Sequence, residues 1–295
     1  MAAHTRTLIS DAQLSRGRSR VIYRVVLTLV IVLFTLVFIG PLYFLFSDGL
    51  KSTTEAVQVP PTLVPHHVLP STYVHAWNLV GLGRLLVNTL YYAFGALVFQ
   101  LVFDVAAAYS LSRLRPALGN VIFALMLATL MIPATVLLVP QYITVANLPI
   151  LHVNLIGTPE AIWLPAVANA FSIFLLKRFF DSIPGELLDA AAIDGASPLR
   201  TLRSVVLPVS RPILGVVSIF ALVATWKDFL WPLLVEAGYS PTRETLNVGI
   251  WQAATVAPQN IVLAASAMAA VPTLIFFLIF QRNIMSGLTA GGVKG

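Results

Sequence analysis

Charged and aromatic side chains stand together in an otherwise apolar part of this chain, the run Trp226-Lys227-Asp228-Phe229-Leu230-Trp231-Pro232. Lys227 and Asp228 are functional candidates, because charge is costly in an apolar environment. Sequence neighbours do not face each other on a helix, so each of the two needs a separate partner. The two tryptophans offer flat faces of the kind that hold the apolar face of a sugar ring, and Pro232 should break or kink the helix. The run indicates either the lining of a solute pathway or a braced helix break.

The other reactive side chains form no catalytic pattern. The chain has no cysteine, which removes thiolate catalysis, disulfides and cysteine-bound metals. His66, His67 and His75 lie in a proline-rich stretch, but no carboxylate cluster completes a ligand set, so we interpret them as solvated loop residues rather than a metal site. No Gly-x-x-x-x-Gly-Lys-Ser/Thr phosphate loop occurs in the sequence. We therefore expect no catalytic residue, no bound metal and no ATP chemistry in this chain.

Two further features of the apolar segments have both a functional and a structural interpretation. Asp104 lies about two helical turns before Arg113, and we interpret it as a structural residue that bonds a neighbouring helix rather than as a site residue. Pro133 and Pro140 bracket a stretch of the third apolar segment, where a simple kink is favoured over a gate.

The composition indicates a lipid environment. Charged residues make up 10% and hydrophobic residues 58% of the chain, whereas a soluble domain carries about 25% charged residues. A hydrocarbon core of about 30 Å needs roughly 20 helical residues. Because backbone groups in lipid must be satisfied within each segment, segments of this length are predicted to be helices rather than barrel strands. The six segments that qualify are about 21–46, 85–112, 119–145, 158–180, 212–235 and 261–283.

The basic residues predict an orientation. With the N-terminus in the cytoplasm, 14 of the 18 lysines and arginines face inward, and only Lys51, Arg84, Lys227 and Arg243 do not. The reverse orientation contradicts the positive-inside rule. We predict an all-α integral membrane protein with a cytoplasmic segment 1–20, six transmembrane helices within 21–295, and both termini inside. The net charge of +6 is spread over the ends of apolar segments, which argues against a nucleic-acid partner.

Residues 181–212 form a long cytoplasmic loop in this arrangement. The positions of proline, glycine and serine within it predict a helix, a glycine turn and a second helix. Pro184 suits the first turn of a helix. Gly195 suits its stop, where a left-handed residue is needed. The pair Ser197-Pro198 suits the cap and first position of the second helix, which Pro208 is expected to end.

The first helix of this loop has the character of a docking element. Its alanine run, Ala190 to Ala192, lets another surface approach closely, and Leu187, Leu188 and Ile193 add an apolar stripe. Recognition of a helix in a groove needs such a face, and the alternative is an amphipathic helix lying on the lipid surface. The contact surface predicted on this helix runs from Glu186 to Gly195 and includes Leu187, Asp189, Ala190, Ala191 and Asp194.

The spacing within this loop resembles the signature of the membrane subunits of ATP-binding-cassette (ABC) importers. That signature reads Glu-Ala-Ala, three residues, Gly, nine residues, Ile-x-Leu-Pro. The same spacing joins Asp189-Ala190-Ala191, Gly195 and Val205-Val206-Leu207-Pro208, with Asp for Glu and Val for Ile. Within that family the chain is similar to the carbohydrate-uptake branch and its maltose-type second permease, through Met131-Ile132-Pro133, Phe174-Leu175-Leu176-Lys177, Ile193-Asp194-Gly195-Ala196, Phe229-Leu230-Trp231-Pro232-Leu233 and the tail Gly287-Leu288-Thr289-Ala290-Gly291 with Val293-Lys294-Gly295.

The resemblance implies the type I importer permease fold and a division of labour between subunits. In that family a binding protein outside delivers the solute, and ATPase subunits inside drive a pair of membrane subunits. The implied partners are a second permease in a heterodimer, two cytoplasmic ATPase subunits and an extracytoplasmic sugar-binding protein, in a bacterial or archaeal cytoplasmic membrane. ATP and Mg²⁺ would bind to the ATPase subunits, no cofactor is expected on this chain, and the 181–212 loop would couple the two.

These considerations leave two functional hypotheses. The first is a permease subunit of an ATP-driven sugar importer, with Trp226, Lys227, Asp228 and Trp231 as candidate pathway residues. The second is a secondary transporter or channel that needs no ATPase, which would explain the intramembrane charges but not the loop. No internal repeat typical of such transporters is evident, and a membrane-embedded enzyme would lack a catalytic set. Family members usually have Asn at the position of Lys227.

Overall fold

The computed structural model describes residues 17–236, 238 and 242–290. No β-strand occurs among these residues, and the all-α prediction is confirmed for them. The helices are α1 (Gly17–Asp48), α2 (Thr53–Ala56), α3 (Ser71–Val80), α4 (Leu82–Tyr109), α5 (Gly119–Thr129), α6 (Ala134–Ala146), α7 (Glu160–Ala166), α8 (Ala170–Asp181), α9 (Gly185–Ile193), α10 (Pro198–Thr201), α11 (Leu207–Val209), α12 (Arg211–Lys227), α13 (Leu230–Val235), α14 (Leu246–Ala253) and α15 (Gln259–Ala290). Short π-helical turns, Ser110–Leu114 and Leu202–Val206, continue α4 and α10.

Three helical stretches are long and apolar enough to cross a membrane, Arg20–Asp48, Leu82–Leu114 and Gln259–Ile279. Three helix pairs also qualify when each pair is taken as one span, and their axes bend by 109°, 45° and 83°. The described residues therefore hold between three and six candidate spans. The bent pairs are Gly119–Thr129 with Ala134–Ala146, Glu160–Ala166 with Ala170–Asp181, and Pro198–Val209 with Arg211–Lys227.

The bend in the third predicted segment has a local cause. Pro133 lies just before α6 with φ −59° and ψ 131°, an extended conformation that α5 cannot continue through. Proline also lacks the backbone N–H that a continuous helix would need at this point. Pro140, by contrast, lies inside α6 without ending it. The chain therefore bends at one of the two prolines, not over the whole stretch between them.

The chain divides into two compact units, residues 1–74 with 258–267 and residues 75–257 with 268–295. In the first unit, α1 exposes most of its apolar side chains, which suits a helix solvated by lipid. Residues 17–20 already belong to α1, so the described end of the predicted 1–20 segment is continuous with the first apolar helix. Residues 1–16 lie outside the described part of the chain, as do Gly291 and residues 293–295 of the tail motif.

The outer loop predicted at 47–84 is more structured than an extended segment, because it contains α2 and α3. Lys51 is buried beside Asp48 and donates to the Thr62 carbonyl at 2.6 Å. The buried Glu55 accepts the Thr62 hydroxyl at 2.9 Å and the backbone N–H of His66 at 3.0 Å. The hydrogen bond from that backbone N–H is the main reason that the pKa of Glu55 lies below its usual value.

The loop histidines all face solvent. His66 is 68% exposed and lies 2.9 Å from the Glu55 carboxylate, and His67 and His75 are exposed as well. No group of three metal-ligating side chains occurs among the described residues. Their exposure agrees with the interpretation as solvated residues, but His75 lies within α3 and not in an irregular loop.

In the second unit, α4 is the central helix and packs against α7, α8, α12 and α14. One apolar cluster lies along its later half and joins α4 to α8, to α12 and to the 181–212 loop. Its buried members are Val105, Ala108, Tyr109, Ile173, Leu176, Phe180, Ile183, Val206 and Val217. A second cluster consists of Tyr92, Val145, Ala161, Ile162, Trp231 and Val235. The 181–212 loop therefore packs on the first apolar cluster, and the helix break near residue 228 packs on the second.

Candidate functional site

The 181–212 loop begins with α9, Gly185–Ile193, and the predicted glycine stop is present. Gly195 has φ +69°, a left-handed conformation that favours glycine. Its N–H donates to the Ala192 carbonyl at 3.0 Å, and the N–H of Ala196 donates to the Ala191 carbonyl at 2.9 Å. This pair of bonds is the Schellman motif that closes a helix end. Local sequence alone thus accounts for the turn.

The second helix of the loop begins as predicted and ends slightly later. The Ser197 hydroxyl accepts the N–H of Arg200 at 3.4 Å, and Pro198 occupies the first turn. The helical run then continues through the π turn to Val209, so Pro208 lies inside the last turn and does not end the helix. Pro208 is tolerated here because it lies in the first turn of α11, where the backbone N–H that proline lacks is not required. The chain bends at Ser210 instead, by 83°.

The predicted contact surface on α9 divides into two sides. Most of its residues are exposed, but Ala191 is only 8% exposed and faces the second helix of the loop. Between the two helices lies a cavity of about 270 Å³ that Ala191, Arg200 and Val205 help to line. The prediction that Ala191 faces a partner is therefore not supported by its burial, since it packs inside the loop. The exposed contact residues are Glu186, Leu187, Asp189, Ala190, Asp194 and Gly195, while Leu207 is half-buried and Pro208 exposed.

Exposed apolar side chains lie on both helices of the loop. Ile193 is 87%, Leu199 63% and Leu187 44% exposed. At its base the loop is seated on the bundle, because Ile183 and Val206 are buried in the first apolar cluster and Leu188 packs against it. The loop is thus a fixed projection with an apolar outer surface, as a docking element requires.

The helix break predicted near Pro232 is present, and it is braced. The α12 helix ends at Lys227 and α13 begins at Leu230. A proline clashes with the carbonyl four residues earlier, which here is the carbonyl of Asp228. The Asn247 side chain donates to that carbonyl at 3.2 Å and to the Trp226 carbonyl at 3.1 Å. Carbonyls that lose helical partners at the break therefore obtain a partner from α14.

The two tryptophans of this run pack within the chain. Trp226 and Trp231 are each only 6% exposed. The Trp231 indole donates to the Ala161 carbonyl at 2.9 Å, and the Trp226 ring meets Phe276 edge-on with centroids 5.7 Å apart. Neither presents a free face for a sugar ring. Lys227 is exposed and Asp228 half-buried, so the predicted pathway lining rests on these two residues.

Asp104 has the structural role expected for it. It is fully buried and accepts the backbone N–H of Asn169 at 3.0 Å and the Gln100 side chain at 3.1 Å. Asn169 is the cap of α8, and its side chain accepts the N–H of Ser172 at 2.9 Å. A carboxylate at the start of a helix is favourable because of the helix dipole. Asp104 therefore fixes the start of α8.

Sequence reasoning did not single out Asn247, Trp251 or Glu236. Trp251 is 49% exposed and its ring lies 6.0 Å from that of Phe229 at the helix break. Glu236 is fully buried and accepts the Tyr92 hydroxyl at 3.1 Å. The sequence contains little indication of these roles. A single amide or aromatic residue in an apolar segment does not reveal which residue it will contact in the folded chain. An acidic residue directly after an apolar segment was the one clear hint for Glu236.

Three kinds of comparison bear on this arrangement. Residues 100–290 match the family described as binding-protein-dependent transport system inner membrane component. The chain is 30% identical over 268 residues to the sn-glycerol-3-phosphate transport system permease protein UgpE of Yersinia pestis bv. Antiqua (strain Antiqua), covering 88% of this chain and 94% of that protein. It is 30% identical over 271 residues to UgpE of Rhizobium meliloti (strain 1021), with the same coverage.

Among solved structures, the fold is similar to a chain in the crystal structure of a bacterial ABC transporter involved in the import of the acidic polysaccharide alginate. The TM-score is 0.77 at 21% sequence identity, and the match covers 90% of this chain and 98% of that chain. At this identity the likeness concerns the fold, which extends over nearly the whole of both chains.

Proposed function

This chain belongs to the family of binding-protein-dependent transport system inner membrane components, and we propose that it is one permease subunit of an ATP-driven importer for a sugar or a sugar-like polyol. The family match and the relatives confirm the resemblance to ABC importer permeases of the carbohydrate branch. The fold is that of a type I ABC importer permease. The observation that carries the proposal is the 181–212 loop, with its fixed base and exposed apolar surface.

The proposed energy source is a pair of cytoplasmic ATPase subunits, one of which binds the exposed side of α9 in a groove. The exposed surface of α9 combines Glu186, Asp189 and Asp194 with the apolar Leu187 and Ile193. A groove that takes an amphipathic helix recognises such a mixture of apolar anchors and flanking charge. ATP and Mg²⁺ are assigned to those subunits because this chain carries no phosphate loop. A second permease completes the pathway, and a binding protein outside delivers the solute.

The proposed topology has six spans with both termini in the cytoplasm. Arg113 and Arg115 precede α5, while Lys177 and Arg178 lie at the end of α8. The positive-inside rule places both pairs in the cytoplasm. If α7 with α8 crosses the membrane once, α5 with α6 must cross it as well, despite the bend of 109° between them. The charge distribution thus favours a bent span over a re-entrant loop in this region.

The proposed cargo is polyhydroxylated. The UgpE relatives are named for sn-glycerol-3-phosphate, and the similar structure belongs to an importer of an acidic polysaccharide. Both cargoes carry hydroxyl groups together with negative charge. The exposed Lys227 at the helix break is a cation within the predicted pathway, which suits an anionic member of this class.

The test is reconstitution of the chain with its co-purifying subunits in proteoliposomes with ATP inside. We expect uptake of a sugar or of sn-glycerol-3-phosphate that requires the cognate binding protein, is lost without the ATPase subunits and persists when an ionophore collapses ion gradients. Uptake that survives removal of the ATPase subunits but stops with the ionophore would establish the secondary-transporter alternative instead.

A further inference from the structure

The end of α4 contacts both stems of the 181–212 loop. On the stem that leads into α9, the Arg113 guanidinium donates to the Ile183 carbonyl at 3.0 Å and to the Phe180 carbonyl. On the stem that leaves it, the Tyr109 hydroxyl donates to the Pro198 carbonyl at 2.9 Å. Side chains one turn apart on a single helix thus hold the chain before α9 and after its glycine turn.

A third contact fixes the end of α8 to the same turn. The Ser112 hydroxyl donates to the Asp181 carboxylate at 2.6 Å, and Lys177 donates to its other oxygen at 2.8 Å. Ser112 is only 1% exposed, so this bond is shielded from water on the α4 side. Hydrogen bonds in such surroundings are electrostatically stronger than in water.

The π-helical turn Ser110–Leu114 supplies two of these three contacts, and the helix ends directly beyond it. Arg115 has φ +48°, a left-handed conformation that stops the helix. Single π turns inside α-helices frequently lie at functional positions. Here the turn lies at the end of α4, where the helix meets the 181–212 loop.

The other end of α8 is fastened to α4 as well. Asp104 and Gln100 on α4 bond the Asn169 N–H and the Ser172 hydroxyl, at 3.0 and 3.2 Å. Nine residues separate Asp104 from Arg113, about 14 Å along the axis at 1.5 Å per residue. The twelve residues of α8 span about 18 Å, so the two sets of bonds hold α8 near its two ends.

These bonds matter because the backbone alone is interrupted on both sides of α8. A bend of 45° separates α7 from α8, and the helix stops again at Asp181 before α9 begins at Gly185. A displacement of α9 could therefore be lost as bending at either interruption, without movement of the neighbouring helices. The side-chain hydrogen bonds at both ends give α8 and the loop a second connection to each other, through α4.

We propose that Tyr109, Ser112 and Arg113 form a clamp, called here the loop clamp, that transmits movement of α9 to α4. They are positioning residues, because they contact backbone carbonyls and Asp181 and no solute or nucleotide. The proposal rests on the proposed function only in naming the source of the movement. The fastening of the loop to α4 is a property of this chain alone.

The first test measures coupling in the reconstituted complex. Arg113→Ala should leave ATPase subunits bound but lower the number of solute molecules transported per ATP by about tenfold, since charge-assisted hydrogen bonds to two carbonyls are lost. Arg113→Lys should restore part of the ratio, because an ammonium group can still reach one carbonyl. Arg178→Ala is the matched control, an exposed arginine at the end of α8, and should keep the wild-type ratio. An unchanged ratio in Arg113→Ala would overturn the proposal.

A second test does not depend on transport. The chain has no cysteine, so spin labels can be placed at the exposed positions Val102 on α4 and Leu199 on the loop. In the full complex the distance between them should stay the same with and without trapped ATP, and should broaden when Arg113→Ala is added. A wild-type distance that shifts by several ångströms between the two states would overturn the clamp even if uptake is normal. Absence of uptake in the wild-type complex would instead count against the proposed function.

Discussion

Gly195 is the residue on which the shape of the 181–212 loop depends most directly. It has φ +69°, and a Cβ built there would meet no atom within 4 Å. The requirement for glycine is therefore conformational and not one of space. A residue with a side chain pays about 1–2 kcal/mol to adopt the left-handed conformation.

Substitution of Gly195 should separate loop shape from membrane insertion. Gly195→Ala should reduce ATP-driven uptake, and Gly195→Pro should abolish it, because proline cannot adopt a positive φ and removes the N–H that bonds Ala192. Gly215→Ala is the control, since Gly215 lies within α12 with nothing within 4 Å of its added Cβ. Uptake assays and membrane extraction would be compared. Normal coupling in Gly195→Pro would refute the loop assignment.

A bulky residue at Ala191 is predicted to impair transport. The structure attributes this effect to packing inside the loop and not to contact with a partner. Ala191 is buried and lines the space between the two helices of the loop, so Ala191→Leu would place a larger side chain in that space and alter the packing of the two helices. ATPase stimulation and uptake should both fall while the protein still inserts. Ala117→Leu, at an exposed position outside the 181–212 loop, should have the smaller effect. Equal effects at both positions would indicate that burial of Ala191 is not the cause.

Lys227 carries the prediction about the cargo. It is exposed at the break between α12 and α13. Lys227→Asn should raise the half-saturating concentration for an anionic cargo by about tenfold, equal to about 1.4 kcal/mol, with little change for a neutral sugar. The measurement is uptake of both cargoes at graded concentrations of loaded binding protein. An equal loss for both would place Lys227 in the structure of the break and not in the pathway.

At the residue scale, short-range features were predictable and long-range partners were not. Gly195 and the Ser197 cap depend on neighbours within a few positions, so their roles follow from local rules. Asn247 contacts residues about twenty positions earlier, and Arg113 contacts carbonyls about seventy positions later. Those partners depend on which helices pack together, which residue types and spacing do not determine.

At the scale of helices, apolar length predicted where helices lie but not how they bend. The predicted segments 119–145 and 158–180 each appear as a bent pair of helices. Two prolines made the third segment ambiguous, and only Pro133 stops a helix, because Pro140 lies where α6 can lose one hydrogen bond. The break before α8 comes just after Pro165, which lies in the last turn of α7. Asn169 and Asp104 then cap the new helix start.

The bent pair α5 and α6 allows a direct test of topology. Six spans place the connection between α6 and α7 outside, while a re-entrant loop would return it to the cytoplasm. Ile150 lies in this connection and is 91% exposed, and the chain has no native cysteine. A cysteine introduced by Ile150→Cys should react with a membrane-impermeant reagent added outside intact cells. Reaction only after permeabilisation would contradict the six-span topology.

At the scale of the whole molecule, the chain has the fold of a family of transport-system components. Its 181–212 loop, which we propose to be cytoplasmic, packs against α4 and α8 and exposes apolar side chains. The class of protein could be predicted from the sequence because the amino-acid composition and the spacing of the loop signature can both be read without knowing the fold. The bonds that fasten the loop to the bundle became evident only from the fold.

The most direct test of the central claim asks what α9 touches in the assembled complex. A photo-crosslinking amino acid at Leu187, which is 44% exposed, should form a covalent product with an ATPase subunit, and the same substitution at Ile150 should not. A product with the ATPase subunit whose yield changes when ATP is trapped is the predicted result. Crosslinks from Leu187 to lipid alone would contradict the account, because they would mean that α9 lies on the membrane surface and transmits no work from ATP.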